Sequence, residues 1–171
     1  YGRAHKLTDF AAILAHMEAE IKKQGLSRVY EEIELPLITV LREMEQVGAL
    51  IDVKHLKALS KKMHTELEKL EKRIYTHAGT SFNINSPKQL GDILYDTLAL
   101  KPKNQKHTAT GQRSTRESEL EKMADMHPII GDVLRYREVQ KLVSTYIDVL
   151  PKLVDNEGRV HTTFLQSGSV T

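Results

Sequence analysis

The sequence has no cysteine and no tryptophan, and only 5% of its 171 residues are aromatic. Without cysteine there is neither a disulfide framework nor thiolate chemistry. No run of about 18 apolar residues occurs, so the sequence predicts no membrane-spanning helix. The chain starts at Tyr1 rather than Met, and its first residues lack the apolar core of a secretion signal. These absences are consistent with a cytoplasmic protein, and the missing Met predicts a fragment of a longer one.

Charge is nearly balanced overall but is unevenly placed along the chain. The net charge is only +2, and an apolar fraction of 40% suffices for a core. No acidic residue interrupts the stretch 101–116, whose basic residues are Lys101, Lys103, Lys106, Arg113 and Arg116. Such a stretch predicts a surface for an anionic partner. A solvated loop is the alternative that charge alone leaves open.

Apolar residues recur at helical spacing along most of the chain, which predicts a mainly α fold. We expect helices at 8–24, 28–34, 36–48, 52–77, 87–98, 114–126 and 128–150. A break is expected before Pro36, and Pro151 should close the last helix. Residues 160–164 are the only strand-like stretch, so a short β element is expected near the C-terminal end.

The two longest predicted helices, 52–77 and 128–150, should form an antiparallel stalk. An apolar seam runs along the first of them, at Leu56, Leu59, Met63, Leu67, Leu70 and Ile74. Ile130, Val133, Leu134 and Leu142 are predicted to form the apolar side of the second. The seam favours packing between these two helices, although docking of a partner helix is an alternative. The shorter helices and the basic loop lie between them in sequence and therefore should form a small helical tip.

Two helix starts at the predicted tip are suited to bind phosphate. Ser86, Pro87 and Gln89 form one capping box, and Ser114 with Glu117 forms a second. Free backbone N–H groups and partial positive charge at a helix N-terminus attract anions. Asparagines before a helix also make simple turn and cap hydrogen bonds, so a purely structural role for Asn83 and Asn85 stays open.

Several ordered motifs carry a family resemblance. They are Glu32-Ile-Glu-Leu-Pro-Leu37, Met44-Glu-Gln-Val-Gly48 with Asp52, Phe82-Asn-Ile-Asn-Ser-Pro-Lys-Gln-Leu90, Thr110-Gly-Gln-Arg-Ser-Thr115, His127-Pro-Ile129, Tyr136-Arg-Glu-Val-Gln-Lys-Leu142 with Ser144-Thr-Tyr-Ile-Asp148, and Gly158-Arg-Val-His-Thr162. Together they resemble the thumb region of a family A DNA polymerase of the bacterial polymerase I type. The resemblance implies three parts: the last helix of a 3′–5′ exonuclease-like domain (1–26), the thumb (27–154) and the start of the palm (155–171).

The resemblance also implies which residues contact DNA. The thumb of this family grips the minor groove of the primer–template duplex with its tip. The positions that match are Asn83, Asn85, Ser86, Lys88, Thr110, Ser114, Thr115, Arg116, Lys141, Ser144 and Ser169. Val143 and Ala109 stand where the family often has lysine, which predicts weaker binding. Tyr1 and His5 match a tyrosine and a metal-binding aspartate of the exonuclease, and His5 in place of the aspartate predicts a parent enzyme without proofreading.

The implied activity belongs to the parent protein, a DNA-directed DNA polymerase (a nucleotidyltransferase) of replication and repair. The motifs of its palm aspartates, which hold Mg²⁺, and of its dNTP-binding residues do not occur in these 171 residues. We therefore expect no catalytic or metal-binding residue here and no polymerisation by the chain itself. The expected partner is duplex primer–template DNA, and the expected state is a monomer in the bacterial cytoplasm, at the nucleoid. The alternative is a stand-alone helical module for protein or DNA interaction.

Overall fold

The computed structural model describes residues 4–5, 8–102, 106, 111–166 and 168. They fall into two compact units. The flanking unit comprises the described residues of 1–50 and 159–171, and the stalk unit comprises those of 51–158. This division does not follow the predicted boundaries at 26 and 154, and the assignment to polymerase subdomains stays a prediction. None of the described helices is both long and apolar enough to cross a membrane.

The flanking unit is built from two helical runs and one short pair of strands. Helix α1 (Phe10–Lys23) is capped by Asp9, whose carboxylate accepts a hydrogen bond from the Ala12 N–H. The second run consists of α2 (Ser27–Val29), a π-helical turn (Tyr30–Glu34) and α3 (Leu35–Val47). Strand β1 (Ala49–Leu50) pairs antiparallel with β2 (Arg159–Val160).

The chain does not break before Pro36, contrary to the prediction. Proline has no N–H to donate and its ring crowds the preceding turn. The wide π turn accommodates it, because the Leu35 N–H donates to the Tyr30 carbonyl five residues earlier. The predicted strand 160–164 is also shorter than expected, since its partner β1 has only two residues.

The stalk unit contains the two long helices in the predicted antiparallel arrangement. Helix α4 (Val53–Ala78) is capped by Asp52, which accepts from the His55 N–H at 2.8 Å, and it ends at Gly79 with φ 71°. Helix α7 (Pro128–Leu142) continues through a π turn (Val143–Ile147). Side-chain hydrogen bonds join α4 to this last long helical run at three points along their length. They link Ser60 with Asp148 at 2.7 Å, Glu66 with Arg135 at 2.8 Å, and Arg73 with Asp132 at 3.2 Å.

The core of the stalk unit uses most of the predicted seam, and Leu59 and Met63 are partly buried against it. Leu67, Leu70 and Ile74 are buried, and they pack with buried residues of α7. Leu142 was predicted to face this core but is 42% exposed. It lies nine residues after the buried Val133, which at 3.6 residues per turn is about 180° around the helix. The α7 side of the core consists of Ile129, Ile130, Val133, Tyr136, Val139, Val143 and Ile147.

Short elements complete the tip and the end of the stalk. Helix α5 (Pro87–Gly91) continues through a π turn (Asp92–Thr97), and α6 (Glu117–Leu120) continues through a 3-10 turn (Glu121–Met123). Helix α8 (Leu150–Leu153) follows α7, and Pro151 lies in its first turn. Pro151 therefore starts a short helix instead of closing the long one, consistent with the preference of proline for a first helical turn.

Candidate nucleic-acid interface

Residues 82–86, here called the asparagine segment, present alternate side chains to the core and to solvent. Ile84 is 2% exposed and anchors the segment in the core, whereas Asn83 and Asn85 on either side are exposed. The Asn83 carboxamide oxygen accepts the Asn85 backbone N–H at 3.0 Å. This Asx turn uses the oxygen of Asn83, so its amide nitrogen is the group that can donate to a ligand.

The helix start after this segment is capped nearly as predicted. The Ser86 hydroxyl accepts from the Gln89 N–H at 3.4 Å. In a standard capping box the Gln89 side chain would return to the Ser86 N–H. Here it accepts from the Asn83 N–H at 2.7 Å, while the Ser86 N–H donates to the Asn83 carbonyl. The cap therefore also fixes the asparagine segment.

The second predicted capping box, at Ser114, is wrong. Helix α6 begins at Glu117, and its N-cap residue Arg116 has no side-chain cap. The Ser114 hydroxyl instead accepts from the Arg116 N–H at 3.3 Å, two residues along. Ser114 and Thr115 are only 4% and 5% exposed.

Tertiary hydrogen bonds explain why these two residues are buried. The Tyr95 hydroxyl donates to the Ser114 carbonyl at 2.6 Å, and the Arg137 guanidinium donates to the Thr115 carbonyl. Both donors belong to other elements, so they hold the backbone of residues 111–116, here called the arginine segment, against the stalk. Ser114 and Thr115 are thus buried, while Arg116 is exposed.

A basic cleft separates the asparagine and arginine segments. Its volume is about 360 Å³, and it is lined by Asn85, Pro87, Gln112, Arg113, Ser114, Thr115, Arg116 and Arg137. A neighbouring cleft of about 310 Å³ includes Lys88. Burial lowers the pKa of the Arg137 guanidinium from its ordinary value, and the nearby Tyr95 opposes that shift. Three guanidinium groups beside a capped helix start make the cleft suitable for a phosphate.

Two acidic residues, Asp96 and Glu119, bind basic residues at or near this cleft. Arg113 pairs with Asp96, and its guanidinium lies 4.9 Å from the centre of the Tyr95 ring. Glu119 is 2% exposed and accepts from the Lys122 ammonium at 2.7 Å and the Lys106 N–H at 3.2 Å. These two hydrogen bonds lower the pKa of Glu119, that from Lys122 most. An ionised Glu119 thus binds the backbone N–H of Lys106.

The remaining predicted contact residues lie at different places. Lys88 is exposed on α5, and Lys141 and Ser144 are exposed on the last long helical run. Lys141 lines a further cleft of about 490 Å³, together with Arg137, Glu117 and Tyr146. Thr110 and Ser169 lie outside the described residues.

Two other residues singled out in the sequence occupy informative positions. Val143 is 2% exposed and packs in the core. The expectation that Val143 weakens DNA binding stays a prediction. His5 lies with its ring 4.8 Å from that of His16.

Sequence reasoning missed Arg137, which the structure places in the basic cleft. An arginine on an amphipathic helix is usually read as a solvated side chain. The available signal was its position four residues before Lys141, since residues four apart share a helix face.

Metal binding has no matching donor set among the described residues. Mg²⁺ takes hard oxygen ligands, commonly carboxylates. Within the described ranges, no three histidine or carboxylate residues gather into a group that could hold a metal ion.

Comparison with known proteins matches residues 53–171, well over half of the chain, to the model of DNA polymerase family A. The chain belongs to this family. It is 45% identical over 150 residues to DNA polymerase I, thermostable, of Thermus thermophilus, covering 87% of this chain and 18% of that protein. It is 44% identical over 165 residues to DNA polymerase I of Deinococcus radiodurans, covering 94% of this chain and 17% of the relative.

A solved structure of the family has the same fold. It is described as the POL domain of Pol1 from M. smegmatis in complex with DNA primer–template and dNTP. The likeness has a TM-score of 0.79 at 29% identity and covers 89% of this chain and 26% of that one. The resemblance inferred from the sequence motifs is thus confirmed. This chain spans less than a fifth of the length of the curated relatives named above.

Proposed function

We propose that this chain is the duplex-gripping thumb of a family A DNA polymerase. The observation that carries the proposal is the basic cleft between the asparagine and arginine segments, beside the capped start of α5. Phosphates of a duplex backbone are the ligand that such a surface suits. The M. smegmatis relative, whose structure includes a primer–template, supports the same partner.

The proposed contacts come from three places in the stalk unit. Asn83, Asn85, Ser86 and Lys88 act from the asparagine segment and the start of α5. Arg116 acts from the arginine segment, joined by Arg113. Arg137, Lys141 and Ser144 act from the last long helical run. Ser114 and Thr115 are given a positioning role, because their side chains are buried. Thr110 and Ser169 remain predicted contacts.

The activity proposed for the whole protein is template-directed DNA synthesis in replication and repair. This chain contributes the grip, while Mg²⁺ and dNTP are assigned to parts of the polymerase other than the described residues. A monomeric state, a location at the bacterial nucleoid and a lack of proofreading remain predictions. The helix-docking alternative has little support, since Leu67, Leu70 and Ile74 of the seam are already buried.

Salt dependence of duplex binding tests the grip. Fluorescence anisotropy of a labelled primer–template duplex should give an affinity that falls steeply between about 50 and 200 mM salt, because phosphate contacts release counterions. Duplexes of different sequence should bind alike, since phosphates carry no base information. The substitution Arg116→Gln should lower the log–log salt slope by about one, the loss of one phosphate contact.

Lys62→Gln is the matched control, because Lys62 is an exposed cation on α4 outside the proposed contacts. It should leave the slope of the wild-type chain unchanged. A salt-independent affinity would contradict the proposal, and so would equal effects of the two substitutions.

A further inference from the structure

Tyr95 contacts the middle of the arginine segment from the core of the stalk unit. It belongs to the π turn Asp92–Thr97 and is only 5% exposed. Its hydroxyl donates to the Ser114 carbonyl at 2.6 Å, and Ser114 is itself buried. A buried carbonyl that loses its donor costs free energy. This hydrogen bond therefore holds the backbone of the segment against the π turn.

The same π turn binds an arginine side chain of the segment. The Arg113 guanidinium carbon lies 4.9 Å from the centre of the Tyr95 ring, within the range of a cation–π contact. The Arg113 guanidinium also pairs with Asp96, the residue after Tyr95. The π turn thus contacts both the backbone and a cationic side chain of the segment.

The backbone of Arg116 depends on the residue that Tyr95 binds. The Arg116 N–H donates to the Ser114 hydroxyl at 3.3 Å. The Arg116 carbonyl accepts from the Glu119 and Leu120 N–H groups at the start of α6. Arg116 is therefore held on one side by α6 and on the other by Ser114. A cation whose backbone is already ordered loses less entropy when a phosphate binds.

We propose that Tyr95 is a positioning residue for duplex binding, which orders the segment carrying Arg113 and Arg116 through the hydrogen bond from its hydroxyl to the Ser114 carbonyl. Tyr95 is buried and touches no DNA itself. This inference rests on the proposed function, in which these two arginines contact backbone phosphates. The hydroxyl therefore contributes to duplex affinity only while the arginines are present.

Removal of the hydroxyl tests the inference in two backgrounds. Tyr95→Phe keeps the ring, and in the 171-residue chain it should weaken binding of a primer–template duplex about fivefold, the usual size of one hydrogen-bond effect. In the combined Arg113→Gln and Arg116→Gln variant, the same change should cause no further loss. Tyr30→Phe, the matched control in the flanking unit, should leave affinity unchanged.

Order of the segment in the DNA-free chain gives a second readout. NMR relaxation measures backbone motion on the ps–ns timescale, and a rigid amide has an order parameter of about 0.85. In Tyr95→Phe the order parameter of the Arg116 amide should fall below the wild-type value, while that of Leu70 in α4 stays unchanged. A loss of global stability alone would change neither value below Tm, because the signals observed are those of the folded chain.

Equal fold losses in both backgrounds would show a general structural role and overturn the inference. An unchanged order parameter at Arg116 would overturn it as well. So would unchanged affinity of the Tyr95→Phe chain when the arginine substitutions weaken binding, and the proposed function would then stand without it. If the arginine variant binds as the wild type does, the proposed arginine contacts fail and the inference fails with them. Thermal unfolding of every variant sets a temperature at which all of them are folded.

Discussion

The polar side chains of the tip fall into an exposed group and a buried group. Asn83, Asn85 and Arg116 are exposed, whereas Ser114 and Thr115 are buried. All five are small polar or charged residues near a helix start, and their local sequence gives no reason to separate them. The separation comes from Tyr95 and Arg137, which bind the carbonyls of the two buried residues.

Gly48 has a backbone conformation that residues with a side chain rarely adopt. Its φ of 64° and ψ of −178° lie in a region that is essentially restricted to glycine. An added Cβ would also lie 2.9 Å from the His161 ring and the Val160 carbonyl oxygen. We expect Gly48→Ala to weaken the β1–β2 pairing by about 2 kcal/mol or more. Amide hydrogen exchange at Leu50 and Val160 would measure the loss.

Gly79→Ala is the control for this substitution. Gly79 also has a positive φ, of 71°, but an added Cβ would meet nothing within 4 Å. Its cost should be only about 1 kcal/mol, that of the left-handed conformation alone. Equal costs at the two glycines would mean that neither the backbone region of Gly48 nor its contacts with His161 and Val160 add to the cost.

At the level of elements, π turns adjust the helices to their partners. The turn Val143–Ile147 extends α7, and the Asp148 N–H donates to the Val143 carbonyl five residues back. Asp148 is then placed against α4, where it accepts from Ser60 at 2.7 Å and lies 2.9 Å from His64 Nε2. The π turn thus connects the end of the stalk to the first half of α4.

This connection should depend on pH. Hydrogen bonds from Ser60 first, and then from His64, lower the pKa of Asp148. A lowered folded-state pKa contributes stability that is complete above the unfolded value of about 3.9 and is lost as pH falls through the folded one. Asp148→Asn should therefore lower Tm at about pH 6, and the difference from wild type should narrow below about pH 3.9. Thermal unfolding followed by circular dichroism over this range measures the effect.

Asp125→Asn, at an exposed acid of the tip, is the matched control. It should leave the acid dependence of Tm as in the wild type. A Tm difference for Asp148→Asn that stays constant down to about pH 2.5 would contradict the role of its ionised form.

At the level of the whole molecule, burial is concentrated in one of the two units. Every residue identified as core lies in the stalk unit, and no residue of α1 is buried. Apolar burial is the main source of stability, so opening free energies should differ between the units. In the 171-residue chain, amides of Leu67, Leu70 and Ile74 should exchange with solvent much more slowly than those of α1. Hydrogen exchange followed by mass spectrometry or NMR tests this, and similar protection of α1 and α4 would refute it.

Local sequence predicted those features whose hydrogen bonds close within a few residues. Asp52 and Gly79 bound α4 as expected, and Ser86 caps α5. The same kind of signal failed at Ser114, because tertiary partners compete for that backbone. It also failed at Pro36, where a π turn removes the expected break.

The motifs alone established the family, the mainly α fold and the antiparallel stalk, because periodic apolar residues and ordered motifs are properties of the chain itself. Only the tertiary structure decided which residues face the basic cleft. Arg137 lines it and Val143 does not, although the two positions lie six apart on one helical run. The face that each presents depends on the phase of α7 against α4, and that phase is set by packing between residues far apart in sequence.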